Sequence, residues 1–127
     1  MAGGLYNQPT TKGAEMGQIQ WADFELVEMR VGRVLEVEDF PEAHNPSYLL
    51  RIDFGPEVGI KRSAAAIRDL YTKEEISNRL VVAVVNFPPK QIATHISEVL
   101  VLAGVNPDGS MRLLQPDDEV QLGARVR

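Results

Sequence analysis

The stretch IKRSAAAIRDLYTKEEISNRLVVAVV, residues 60–85, decides the fold. It opens as a short strand, Ile60 to about Ala64, carrying Lys61 and Arg62. Ala64 to Tyr71 then favours a helical turn, because alanine pays no side-chain entropy in a helix. Thr72-Lys73-Glu74-Glu75 has the spacing of a capping box, with Thr72 capping and Glu75 reaching back. Leu80–Val85 is unbroken, apolar and β-branched, the pattern of a strand buried on both faces. A helical element thus stands between two strands, and the question is how many strands flank it.

Working outward gives two strands before and more after. Trp21, Phe24 and Glu28 share one side of a short helical stretch, after which the period changes to two. Met29, Val31, Leu35 and Val37 alternate with polar residues as one buried face of a long strand. Gly32 inside it marks a bulge or tight bend, and Val34 breaks the alternation, which implies cover on the second face. Phe40-Pro41 to Asn45-Pro46 is turn chemistry. Tyr48, Leu50, Ile52 and Phe54 form one face of the second strand, ended by Gly55-Pro56. On the far side, Val99–Ala103 is a strand, Asn106-Pro107-Asp108-Gly109 a turn, and Met111–Leu114 and Val120–Val126 two short closing strands. The expected fold is all-β: an OB-fold, a five-stranded Greek-key barrel with a short helix between strands three and four and extra short N- and C-terminal elements. A β-sandwich is the competing architecture, but it rarely places a helix there.

Composition bounds function. The chain has 127 residues with 13 basic and 18 acidic side chains, a net charge of −5, which argues against coating nucleic acid by bulk charge. There is no cysteine, so disulfides, thiolate metal sites and a cysteine nucleophile are excluded. The apolar runs are far too short to span a bilayer, and the start lacks a basic flank leading into an apolar segment. A cytoplasmic protein without membrane insertion is expected. Residues 1–18 read as a disordered N-terminal extension, with Met16 an alternative start, and residues 19–127 as one domain. No phosphate loop, Walker signature or GxSxG is present, and His44 and His95 lack metal-pair spacing. No catalytic residue, metal or cofactor is expected; the reading is a binding module, not an enzyme.

In a barrel of this type the ligand lies across strands two and three, between the loops joining strands one–two and four–five. Arg51, Lys61 and Arg62 come from those strands; Tyr48, Phe87 and His95 offer rings that either stack on a ligand or fill the core. Asn86 to Glu98, with Pro88-Pro89 stiffening its start, is the four–five loop reaching over that face. Trp21 and Phe24 either pack across a dimer partner, helped by strand one at Arg30, or cap their own barrel.

Several segments, in order, resemble one family: Met29-Arg30-Val31-Gly32, Phe40-Pro41-Glu42-Ala43, Leu50 to Gly55, Gly59 to Ser63, Val84 to Pro89, Ser97 to Leu102, and Leu113 to Pro116. From about Gln20 to Arg127 the chain is similar to the CsaA-type secretion chaperones. These belong to the wider tRNA-binding-domain family, which includes domains appended to methionyl- and phenylalanyl-tRNA synthetases. The resemblance implies a homodimer without catalysis that binds unfolded preproteins or peptides, with tRNA as a further partner. The alternative is a tRNA-binding module acting in trans with a synthetase. It also implies a binding surface of Asn86, Lys90, Ser97 and Glu98, with Lys61 and Ser63 from strand three. Relatives of this kind carry basic residues where this chain has Leu49, Gln91 and Ile96, and glycine at Thr94. With those cations gone, tRNA binding should be weak and an apolar peptide better suited.

Overall fold

The computed structural model describes residues 16–127; most of the proposed N-terminal extension therefore lies outside the described residues. Nine strands and three short helices follow one another among the described residues. Helix α1 (Trp21–Glu25) leads into β1 (Met29–Asp39) and β2 (Tyr48–Asp53). Helix α2 (Gly55–Val58) separates β2 from β3 (Ile60–Ala65), and α3 (Lys73–Ile76) separates β3 from β4 (Leu80–Val84). Then come the β5 (Lys90–Ile92) and β6 (His95–Ser97) pair, β7 (Leu100–Val101), and the β8 (Ala103–Val105) and β9 (Met111–Leu113) pair. The main sheet runs β3-β2-β1-β4-β7, antiparallel throughout, and curls until β7 approaches β3. This nearly closed five-stranded barrel, with α3 between its third and fourth strands, is the expected OB-type architecture.

Strand β1 shows how sequence builds the barrel. Its register against β2 shifts between Val34 and Glu36, leaving Leu35 as the extra residue of a bulge. Before the bulge Gly32 and Val34 face inward; after it Val37 does, opposite Leu50. Met29 and Val31 lie on the opposite face, where Leu122 and Val126 of the C-terminal tail cover them together with Leu80 and Val82. The single buried face of Met29, Val31, Leu35 and Val37 is thus corrected: an inserted residue changes phase midway, and Leu35 is exposed. The bulge falls at Leu35 and not at Gly32, whose lack of a side chain has another cause. A Cβ there would lie 2.7 Å from Ile52 and from Phe54, both fully buried.

Two other elements differ from expectation. The helical turn expected over 64–71 is confined to its second half: Ala64 and Ala65 pair in β3 with Leu49 and Tyr48, strand pairing overriding alanine's weak helical preference, and a single turn follows in which Tyr71 N donates to Ile67 O at 3.1 Å. The 120–126 segment forms no strand. It is a tail that turns at Gly123 and hydrogen-bonds to β1, with one isolated bridge between Arg30 and Arg125.

The capping box of α3 is formed as expected. Glu75 N donates to Thr72 Oγ1 at 3.2 Å and Thr72 N to Glu75 Oε1 at 2.7 Å. This short helix carries Ile76, fully buried, into the core. Thr72→Ala is expected to lower unfolding free energy by about 1 kcal/mol, read as a reduced urea midpoint at constant slope.

Candidate functional site

The segment between β4 and β7 is more structured than a loop. Lys90–Ile92 and His95–Ser97 pair as a two-stranded ribbon, turning at Ala93-Thr94 with Ala93 at φ 53. The ribbon leans on two supports. His95 meets the ring of buried Phe40 edge-on, with centroids 5.0 Å apart, and β6 runs alongside β3. Two concavities lie beside it. One is a cleft of about 360 Å³ lined by Ala64, Phe87, Pro88, Lys90, Ile92, Ser97, Glu98, Val99 and Leu100. The other, about 230 Å³, lies over the outer face of β1, β2 and β3 and is lined by Glu36, Glu38, Leu49, Leu50, Arg51, Arg62, His95 and Ile96.

The barrel closes between β3 and the β6–β7 segment through side chains. Arg62 N donates to Glu98 Oε1 at 2.9 Å, and Ala64 N to Ser97 Oγ at 3.0 Å. Glu98 N returns a bond to Arg62 O at 2.8 Å, and buried Ser63 Oγ donates to Val99 O at 3.1 Å. Polar residues adjacent in the sequence are thus committed to backbone partners that an uninterrupted strand ladder would otherwise satisfy.

This divides the anticipated binding residues. Ser63, Ser97 and Glu98 hold the seam. Asn86 Oδ1 accepts from Glu28 N at 3.0 Å and its Nδ2 donates to Leu26 O at 2.8 Å, pinning the segment after α1 to the end of β4. Tyr48 is buried, with its hydroxyl donating to Tyr71 O at 2.8 Å, so it offers a ligand no free ring face. Arg51, Arg62 and Lys90 are exposed. Lys61 and Arg62 do not act as a pair, because adjacent strand residues point to opposite faces: Lys61 lies opposite inward Ile52, Arg62 opposite outward Arg51. Phe87 is 54% exposed at the cleft's rim.

On the outer face, Glu36, Arg51 and Arg62 stand in one transverse row. Arg51 Nη1 lies 3.2 Å from Glu36 Oε1, and Arg62 Nε 3.6 Å from Glu98 Oε1. Sequence reading found the arginines but not their partners. The partners follow from cross-strand register, which the Leu35 bulge sets.

At the other end of β1, Arg30 is built into the fold. It reaches Glu28 at 3.0 Å, Glu57 at 3.1 Å and Gly123 O at 2.9 Å. The hydrogen bonds it donates to Glu57, then Glu28, hold its guanidinium above its ordinary pKa. Trp21 and Phe24 pack on each other with centroids 5.2 Å apart, yet Trp21 remains 63% and Leu26 73% exposed. Among the described residues no group of three or more His, Asp or Glu side chains is placed to hold a metal ion, and no helix is long and apolar enough to cross a membrane.

Comparison with known proteins fits this geometry. The chaperone CsaA of Bacillus anthracis superposes with a TM-score of 0.82 at 43% identity, over 87% of this chain and all of that one. The CsaA chaperone protein from Picrophilus torridus gives 0.80 at 47% identity with the same coverage. The methionine–tRNA ligase of Pyrococcus abyssi is 39% identical over 117 residues, 91% of this chain but 15% of the ligase. The chain therefore spans about a seventh of the length of the ligases it matches. The family model described as "Putative tRNA binding domain" matches residues 29–125. By that match, and by its likeness to the CsaA chaperones over their full length, the chain belongs to the tRNA-binding domain family.

Proposed function

We propose that the chain is a homodimeric chaperone that holds extended apolar segments of unfolded preproteins in the cleft beside the β5–β6 ribbon, before export from the cytoplasm. One observation carries this reading. Phe87, Pro88, Ile92, Val99 and Leu100 converge on a concave, mostly apolar surface, with Lys90, Ser97 and Glu98 as its polar margin. Such a surface, rimmed by polar groups, suits a side chain of an extended peptide. The likeness to CsaA chaperones at 43% and 47% identity supports it. For the dimer, Ile19, Trp21, Leu26 and Val27 leave apolar surface uncovered around α1. A second copy covering it is expected to appear as a dimer mass in light scattering at micromolar concentration; a monomer there removes the dimer.

A second reading has its own observation. Arg51 and Arg62 project from β2 and β3 on the face where OB folds take nucleic acid, and the family is a tRNA-binding one. tRNA would bind this face in trans to a synthetase.

The test compares wild type with Phe87→Asp in suppressing aggregation of a chemically denatured client. Losing the half-exposed ring and adding a charge should weaken client binding about tenfold, while tRNA affinity changes little. Unchanged client suppression would overturn the cleft as the peptide site.

A further inference from the structure

We infer that Glu36 sets the sign of ligand that the outer face accepts: its carboxylate occupies Arg51 and repels phosphate, so this one side chain keeps the face a weak polyanion site. The inference rests on the tRNA reading above.

The bulge at Leu35 is why Glu36 faces outward at all. Strict alternation from Gly32 and Val34 would turn residue 36 into the barrel; the extra residue puts Val37 there instead. Glu36 then stands beside Arg51 and lines the same concavity as Arg51 and Arg62. Both arginines are already engaged, Arg51 by Glu36 at 3.2 Å and Arg62 by Glu98 at 3.6 Å. Glu38 lines that concavity too. Within that concavity Glu36 and Glu38 thus balance Arg51 and Arg62, and Glu98 holds Arg62 from the neighbouring cleft, so removing one carboxylate tips the face to positive.

The two engaged carboxylates have different duties. Glu98 holds the barrel seam through Arg62 N. Glu36 is half-exposed, and the bond from Arg51 is the one hydrogen bond its carboxylate makes among the described residues. An exposed pair of this kind contributes little to stability. Its consequence falls on binding. A phosphate reaching Arg51 arrives within roughly 4–6 Å of the Glu36 carboxylate, inside the Debye length of about 8 Å at physiological salt.

Filter binding of unmodified bulk tRNA across a salt series tests this with wild type, Glu36→Gln, Arg51→Gln and Glu25→Gln. Glu25 is an exposed carboxylate on α1, outside the three-strand face. Glu36→Gln should bind tRNA roughly threefold to tenfold tighter at low salt. Its log–log salt slope should steepen by up to about one unit, as a freed cation contacts phosphate. Glu25→Gln should change neither. If Glu36→Gln matches wild type while Arg51→Gln weakens binding, the tRNA reading stands and this inference fails. If Glu25→Gln gains as much as Glu36→Gln, bulk charge explains the effect and the inference fails. If neither wild type nor Glu36→Gln binds tRNA at low salt, the tRNA reading itself fails and takes the inference with it.

Discussion

Gly123→Ala is expected to destabilise the chain by about 2–4 kcal/mol, far more than adding a methyl group to a tail should. Gly123 sits at φ 89, and a Cβ there would collide with the backbone carbonyl oxygen of Phe54. Carbonyl oxygens have no rotamer to escape into. The reciprocal contact is as tight: a Cβ on Gly55 would lie 2.5 Å from Leu122 O. The tail and the end of β2 therefore meet backbone to backbone. Gly123 N also donates to Val31 O at 2.8 Å, and its carbonyl accepts from Arg30. The cheapest response is for the tail to release, uncovering Val31, Leu80 and Val82. The cost is thus capped at what docking Leu122 and Val126 contributes, each side chain worth at most about 1.5–3 kcal/mol. Gly59→Ala is the control. Its φ of 87 and ψ of −165 fall where essentially only glycine sits, but nothing lies within 4 Å of the added atom, so it reports conformational strain alone, about 1–3 kcal/mol. Urea unfolding gives both numbers. Trypsin should also cleave after Arg125 faster in Gly123→Ala than in wild type. Equal costs for the two variants would mean that the Phe54 contact does not hold the tail.

The second large effect concerns the seam. The double variant Ser97→Ala/Glu98→Ala should lose about 2–4 kcal/mol, since it strips the acceptors from Ala64 N and Arg62 N together. Each unmet amide costs about 1–3 kcal/mol when fully buried; the Ala64 N bond is part-buried and the Arg62 N bond exposed, which sets the lower half of the range. Glu98→Gln keeps an acceptor oxygen for Arg62 N and should stay near wild type. Hydrogen exchange localises the effect: the Arg62 and Ala64 amides should lose protection before the β1–β2 amides do. If protection falls evenly through the sheet, the seam is not a separate joint.

Much of the architecture was legible because hydrophobic period and turn chemistry are local. The strand order around α3, the Thr72–Glu75 box and the Gly55-Pro56 stop all follow from neighbouring residues. What escaped depends on partners distant in sequence. The β5–β6 ribbon pairs three residues with three, too few for a period to register. Leu35 carries no mark of a bulge, because the extra residue is defined only against β2. In the candidate site, polarity at Ser63, Asn86 and Ser97 was visible, but which backbone groups those side chains satisfy was not. The opposite facing of Lys61 and Arg62 follows from the strand period alone, yet the sequence reading set both on the binding face.

The ribbon has no core of its own. Two strands of three residues do not stand alone in water, so its posture depends on the Phe40–His95 contact and on β3 beneath it. It is nevertheless a party wall. Lys90, Ile92 and Ser97 belong to the apolar cleft, and His95 and Ile96 to the charged concavity. A tilt that gives one chamber room takes it from the other. Were an occupant of one chamber to tilt the ribbon, it would change the affinity of the other chamber, and the second occupant would return that change in equal measure.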